Sequence, residues 1–195
     1  SKSYRRLVFD EICANFLALS ENRKRIKKEK TPKIFKNSIS NKILKTLPFK
    51  LTKSQEYVLN EINLDLKNPK RMFRILQGDV GSGKTIVSFL TIANVLESNY
   101  QCALMSPTEI LSLQHYNLAQ KIFKKINIRI EFLTGKTSYS KRKEILKDLA
   151  EGKVDFLIGT HSLFQKKIKF KNLGYVIIDE QHKFGVKQRS DLAKK

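Results

Sequence analysis

The chain has 195 residues, 41% of them hydrophobic, which is enough for one core of ordinary size and a short appendage. No apolar run nears the roughly 18 residues of a bilayer-crossing helix, the opening residues do not read as a secretory leader, and Cys13 and Cys102 fit no zinc or redox spacing; a cytoplasmic protein is expected. A formal charge of +21, from 39 basic and 18 acidic residues, points to a polyanionic partner such as nucleic acid, although thirty of the basic residues are lysines and an AT-rich genome alone produces such a profile.

Residues 1–48 read as a basic amphipathic helix and a connector. In RRLVFDEICANFLALSENRKRIKKEK the positions Ile12, Phe16, Leu19 and Ile26 keep a helix-like spacing, and Pro32 with the polar KNSISNK interrupts it. From residue 49 to 195 helices alternate with short apolar strands. SQEYVLNEINLDLK predicts a helix with Val58, Ile62 and Leu66 on one face, RILQ a strand, and TIVSFLTIANVLE an apolar helix after a glycine-rich turn. CALMS, IRIEFLT, FLIGT and YVIIDE follow as strands, with helices over TEILSLQHYNLAQKIFKK and SKRKEILKDLAEG. The alternation predicts an α/β fold: a parallel sheet covered by helices on both faces, preceded by the long N-terminal helix.

Residues 78–85, GDVGSGKT, fit the G-x4-G-K-S/T pattern of a P-loop between a predicted strand and a predicted helix. Gly78, Gly81 and Gly83 let the backbone turn with its N–H groups inward around Ser82, and the following helix adds its N-terminal dipole. Lys84 supplies a point charge for the β- and γ-phosphates and Thr85 a hydroxyl for magnesium. The run YVIIDE ends in two adjacent acids, Asp179 and Glu180. Asp179, at the carboxyl end of a strand, is placed to help hold Mg2+. Glu180 faces differently and is the candidate to accept a proton from an attacking water. ATP and Mg2+ are the expected cofactors.

GDVGSGKT, SPTEILSLQH, LTG, IGTHSLFQ and IDEQHKFGVKQR together resemble the first motor lobe, a RecA-like domain, of a superfamily 2 helicase. Within that superfamily the chain is most similar to the RecG family of DNA helicases; PTEI, DEQH and the Gln188–Arg189 pair favour it over the transcription-repair coupling factors. The resemblance implies an adenine-reading role for Gln55 with Phe49 as a packing partner for the base, while Thr52-Lys-Ser-Gln55 is also a capping box. It implies DNA-backbone contacts by Pro107, Thr108 and Glu109, by Thr134 and Gly135, and by Thr160 and His161, which position DNA without reading sequence. Thr108 is equally a helix N-cap and Thr134-Gly135 a turn. Gln181 and His182 would couple the nucleotide state to DNA through the other motor lobe.

The implied whole is a monomeric ATP-dependent motor on branched or duplex DNA, acting in fork regression and Holliday junction branch migration. Such a motor needs a second lobe, whose arginine is worth roughly 10³ to 10⁵ in rate, and a wedge domain upstream. The sequence begins with a serine and ends fifteen residues after Glu180, so a fragment is expected, one that binds Mg-ATP weakly and hydrolyses it poorly. A nucleotide-gated binding module without motor activity is the alternative of a different class; it would need no general base.

Overall fold

Four short apolar runs pair into a parallel sheet in the computed structural model, which describes residues 36–164, 168–180 and 183. Strands β1 (Gln101–Met105), β2 (Ile130–Leu133), β3 (Phe156–Gly159) and β4 (Leu173–Ile178) lie in the order β2-β3-β1-β4. Helices α1 (Ser38–Thr46), α2 (Lys53–Lys67), α3 (Lys84–Glu97), α4 (Glu109–Ile122) and α5 (Tyr139–Glu151) surround it, with a 3-10 turn at His161–Phe164. Register sets Leu104 opposite Ile158 on one side and Ile177 on the other.

Side chains alternate across a strand, so the sheet feeds two hydrophobic clusters. Cys102, Leu104, Phe156 and Ile158 pack with α3 and with Ala119 of α4, whereas Met105, Leu133 and Leu157 pack with Ile145 and Leu149 of α5. Both faces are therefore covered, as the alternation of elements predicts. Helix α3 is buried almost all round, from Ile86 to Leu96, which is how a helix lacking a polar face must sit. Its Phe89 is fully buried, with ring centroids 6.1 Å from Phe123 and 6.2 Å from Phe156.

Two local expectations are corrected. RILQ forms no strand: residues 71–79 pair with none of the four strands, and Phe73 and Ile75 are 55% and 73% exposed. Arg74 turns instead to α2, donating to Asp65 at 2.8 Å and Glu61 at 3.2 Å. An apolar run proposes a strand, but a strand exists only with a hydrogen-bonding neighbour, and periodicity cannot name one. The second correction concerns KNSISNK, read as connector, most of which lies in α1. Asn37 enters it in the left-handed region at φ 55°, Ile43 is buried in the cluster around α3, and the Ser38 amide donates to the Glu97 carboxylate at 3.1 Å. The Ser38 hydroxyl bonds the same carboxylate, so an acid from the far end of α3 caps α1 and satisfies its N-terminal dipole. The long helix expected before residue 32 lies outside the described residues. Among those residues no helix is long and apolar enough to cross a membrane.

Gly159 closes the β2–β3 ladder so tightly that a Cβ there would lie 1.9 Å from the Leu133 carbonyl oxygen, whereas a Cβ at Gly135 meets nothing within 4 Å. Urea unfolding is expected to show Gly159→Ala destabilised by about 2 kcal/mol or more, with Gly135→Ala within about 0.5 kcal/mol of the parent. Equal effects of the two substitutions would contradict this packing.

Candidate functional site

The phosphate loop owes its shape to two glycines in the left-handed region, Gly81 at φ +83° and Gly83 at φ +80°. Gly83 is the N-cap of α3, and its carbonyl accepts from the Ile86 and Val87 amides at 3.1 and 3.4 Å. The positive φ favours glycine at Gly83, and a Cβ there would also push against the mobile end of Gln55, at Nε2. Lys84 Nζ donates to the carbonyls of Gly78 at 2.6 Å and Asp79 at 2.7 Å. The ammonium thus lies across its own loop on two oxygens, partners that phosphate oxygens can replace. With the first turn of α3 behind it, the cradle fits an anionic group.

Gln55 joins its two sequence readings. Its Oε1 accepts from the Thr52 amide at 2.9 Å and its own amide donates to Thr52 Oγ1 at 3.2 Å, a complete capping box. Its Nε2 also donates to the Ser82 carbonyl at 2.9 Å, tying α2 to the phosphate loop. A carboxamide has two N–H groups and two lone pairs on oxygen, so these bonds use half its capacity. Phe49 is exposed and lines a cleft of about 430 Å³ with Leu44, Leu51, Asn60 and Asn63; none of residues 78–85 contributes to that lining. The structure does not gather Phe49 into the phosphate loop.

At the end of β4 the Asp179 amide donates to the Met105 carbonyl at 2.8 Å, extending the ladder by one residue. Asp179 Oδ2 pairs with His115 Nε2 at 2.8 Å, and Oδ1 accepts from the Glu180 amide at 3.0 Å. The His115 hydrogen bond, against the opposing effect of burial, holds the Asp179 carboxyl below its ordinary range; the charges of His115 and Lys84 act in the same direction. Asp179 is therefore within electrostatic reach of the phosphate-loop lysine. Glu180 enters the left-handed region at φ +51°, a strained conformation for a non-glycine residue that turns the chain sharply between the two carboxylates. Thr85, on the first turn of α3, and Asp179 offer hard oxygens, and among the described residues no group of three or more His, Cys, Asp or Glu forms a metal cage. That donor set suits Mg2+, which is held by one or two carboxylates together with phosphates.

The candidate DNA-contact residues share one rim, because a parallel sheet puts the carboxyl ends of all its strands on the same edge. Pro107 and Thr108 follow β1, Thr134 and Gly135 follow β2, and Thr160 and His161 follow β3. Thr108 Oγ1 accepts from the Leu111 amide at 3.3 Å and so caps α4. Glu109 pairs with Lys136 at 2.9 Å; that bond, against the opposing effect of burial and helped by the nearby Thr134 hydroxyl, holds its carboxyl below the ordinary range. Thr134 and Thr160 are buried, and their hydroxyls serve the loops: Thr134 Oγ1 accepts from the Lys136 amide at 3.3 Å, and Thr160 Oγ1 lies 3.4 Å from Ser162 Oγ. Gly135 and His161 are exposed. Gln181, His182, Gln188 and Arg189 lie outside the described residues.

Two residues escaped sequence reasoning. Lys136 is 87% exposed beside Glu109, one more cation in a lysine-rich chain and without a mark of its own. His115 was visible only as part of the QH that carries the family likeness; its phase on α4, between the buried Ser112 and Ala119, was the signal that it faces inward.

Residues 52–195 match the DEAD/DEAH box helicase family. The chain is 48% identical over 193 residues to ATP-dependent DNA helicase RecG of Aquifex aeolicus, covering 98% of this chain and 24% of that protein. It is 44% identical to the RecG of Bacillus subtilis, over 98% of this chain and 28% of the relative. The solved structure of RecG bound to a three-way DNA junction superposes with a TM-score of 0.80 at 43% identity, over 88% of this chain and 23% of the other. The chain spans about a quarter of the length of these curated relatives.

Thr52→Ala and Gln55→Ala each remove the capping box and are expected to lower stability by about 1 kcal/mol. Only Gln55→Ala also releases the Ser82 carbonyl, so hydrogen exchange at the amides of residues 82–84 should accelerate in that variant alone. Equal loop exchange in both would mean that Gln55 is a cap and nothing more.

Proposed function

We propose, since this chain belongs to the DEAD/DEAH box helicase family, that it is the ATP-binding lobe of a motor that remodels branched DNA in recombination and repair. The observation that carries this reading is the GDVGSGKT loop opening α3, with Asp179 after the carboxyl end of β4 near enough for the Lys84 charge to lower its carboxyl. RecG-named relatives and a RecG solved on a three-way DNA junction support the choice of DNA and of branched structures, and favour this reading over a transcription-repair motor.

In this account the loop amides and Lys84 hold the β- and γ-phosphates, exchanging the Gly78 and Asp79 carbonyls for phosphate oxygens. Thr85 and Asp179 hold Mg2+, which offsets phosphate charge when bound. Glu180, next along the chain from Asp179, takes the proton from the attacking water. Gln55 and Phe49 meet the adenine. The rim of Pro107, Thr108, Glu109, Thr134, Gly135, Thr160 and His161 meets the sugar–phosphate backbone, aided by the positive charge of the chain. Gln181 and His182 couple nucleotide to DNA. Turnover is assigned to the motor with a second lobe contributing an arginine and a wedge domain selecting the junction, in a monomeric, cytoplasmic protein.

Titration with fluorescent Mg-ATP should give saturable binding that Lys84→Ala abolishes. Glu180→Gln should keep that binding and, in the motor with its second lobe, lower single-turnover hydrolysis by about a hundredfold. Undiminished hydrolysis in Glu180→Gln would take the general-base role away from Glu180, and nucleotide binding without any hydrolysis in the two-lobe parent would favour a passive nucleotide-gated module instead.

A further inference from the structure

His115 lies outside the roles assigned above, yet it touches the carboxylate on which the metal site turns. It sits on α4, seven residues after the Thr108 cap, so about 10 Å of helix separates the two residues. Its side chain is only 13% exposed. The imidazole meets the ring of Phe89 edge-on, with centroids 6.5 Å apart and planes at 75°. Phe89 is fully buried on α3, the helix that carries Lys84 and Thr85. Three elements therefore converge on one contact: α3 fixes the ring through Phe89, α4 supplies the ring, and β4 ends in the carboxylate that receives it.

A carboxylate accepts only, so the 2.8 Å contact requires the proton on His115 Nε2. With Oδ1 bonded to the Glu180 amide and Oδ2 to His115, both oxygens of Asp179 are held and the plane of the carboxylate is set. Each oxygen has two lone pairs, so ligation stays open. An aspartate at a strand end, one-third exposed, would otherwise be free to change rotamer.

We propose that His115 is a positioning residue of the nucleotide site: its Nε2–H, backed by Phe89, holds the Asp179 carboxylate in the orientation in which it takes Mg2+. The inference rests on the nucleotide reading given above and adds to it a residue behind the metal-holding acid. Losing partners of this kind, which orient a ligand without touching the metal, typically costs about 10- to 100-fold in metal affinity or activity.

The test separates metal from nucleotide. Fluorescent ATP is titrated into the parent, His115→Phe and His115→Gln, each across a Mg2+ series and in EDTA, with thermal melting as a check on folding. Mg2+ dependence in His115→Phe should shift by about tenfold to higher concentration, while affinity in EDTA stays within about twofold of the parent. His115→Gln, whose Nε2 reaches the place of the imidazole Nε2, should recover most of the Mg2+ response. A purely structural role would weaken binding equally with and without Mg2+, or leave Gln no better than Phe, and either result overturns the inference. Mg2+-dependent binding in the parent that His115→Phe leaves intact overturns this inference alone. Absence of Mg2+-dependent binding in the parent overturns the nucleotide reading and this inference with it.

Discussion

Helix α3 carries the phosphate loop at its N-terminus and buries ten of its fourteen residues, so it cannot rotate or slide without exposing apolar surface. Each large side chain that it buries contributes roughly 1.5–3 kcal/mol, and Phe89 stands at the centre with aromatic neighbours from α4, β3 and the segment after α4. That burial fixes where Lys84 and Thr85 begin. It also recruits α1, whose first turn is capped by Glu97 at the other end of the same helix, and α2, whose Gln55 reaches the loop. The loop is thus positioned by a helix buried along most of its length, and by the Gln55 bond that ties the Ser82 carbonyl to α2.

The sheet supplies the rest of the geometry. Parallel pairing sends the carboxyl ends of β1, β2, β3 and β4 to one rim, and the residues that follow them are those the family likeness implies for DNA and metal. The rim is stiffened by its own hydrogen bonds. Thr108 caps α4, Glu109 reaches Lys136 and Thr134 in the next loop, and Ser162 donates to the Leu133 carbonyl at 3.2 Å. Buried threonines at positions 134 and 160 spend their hydroxyls on loop shape, so exposed neighbours and backbone are what the rim presents to solvent.

Much of this was legible in the residues. Helix and strand alternation from residue 51 onward, the loop, the terminal acids and the capping box each rest on short-range pattern, which is local physics. What the sequence could not carry was partnership. RILQ has the composition of a strand, but Arg74 finds Glu61 and Asp65 and the segment joins no ladder. KNSISNK has the composition of a connector, but Glu97, fifty-nine residues away from Ser38, caps it into a helix. His115 shows its inward phase on α4, yet only the fold reveals that Asp179 waits there.

The central claim is that the phosphate loop and Asp179 form one site. Calorimetric titration of ATP into this chain, with Mg2+ and with EDTA, beside Asp179→Asn, addresses it most directly. The account predicts that Mg2+ tightens ATP binding in the parent and that Asp179→Asn loses this gain while keeping the affinity seen in EDTA. An unchanged Mg2+ gain in Asp179→Asn would contradict it, leaving a phosphate cradle whose metal is held elsewhere.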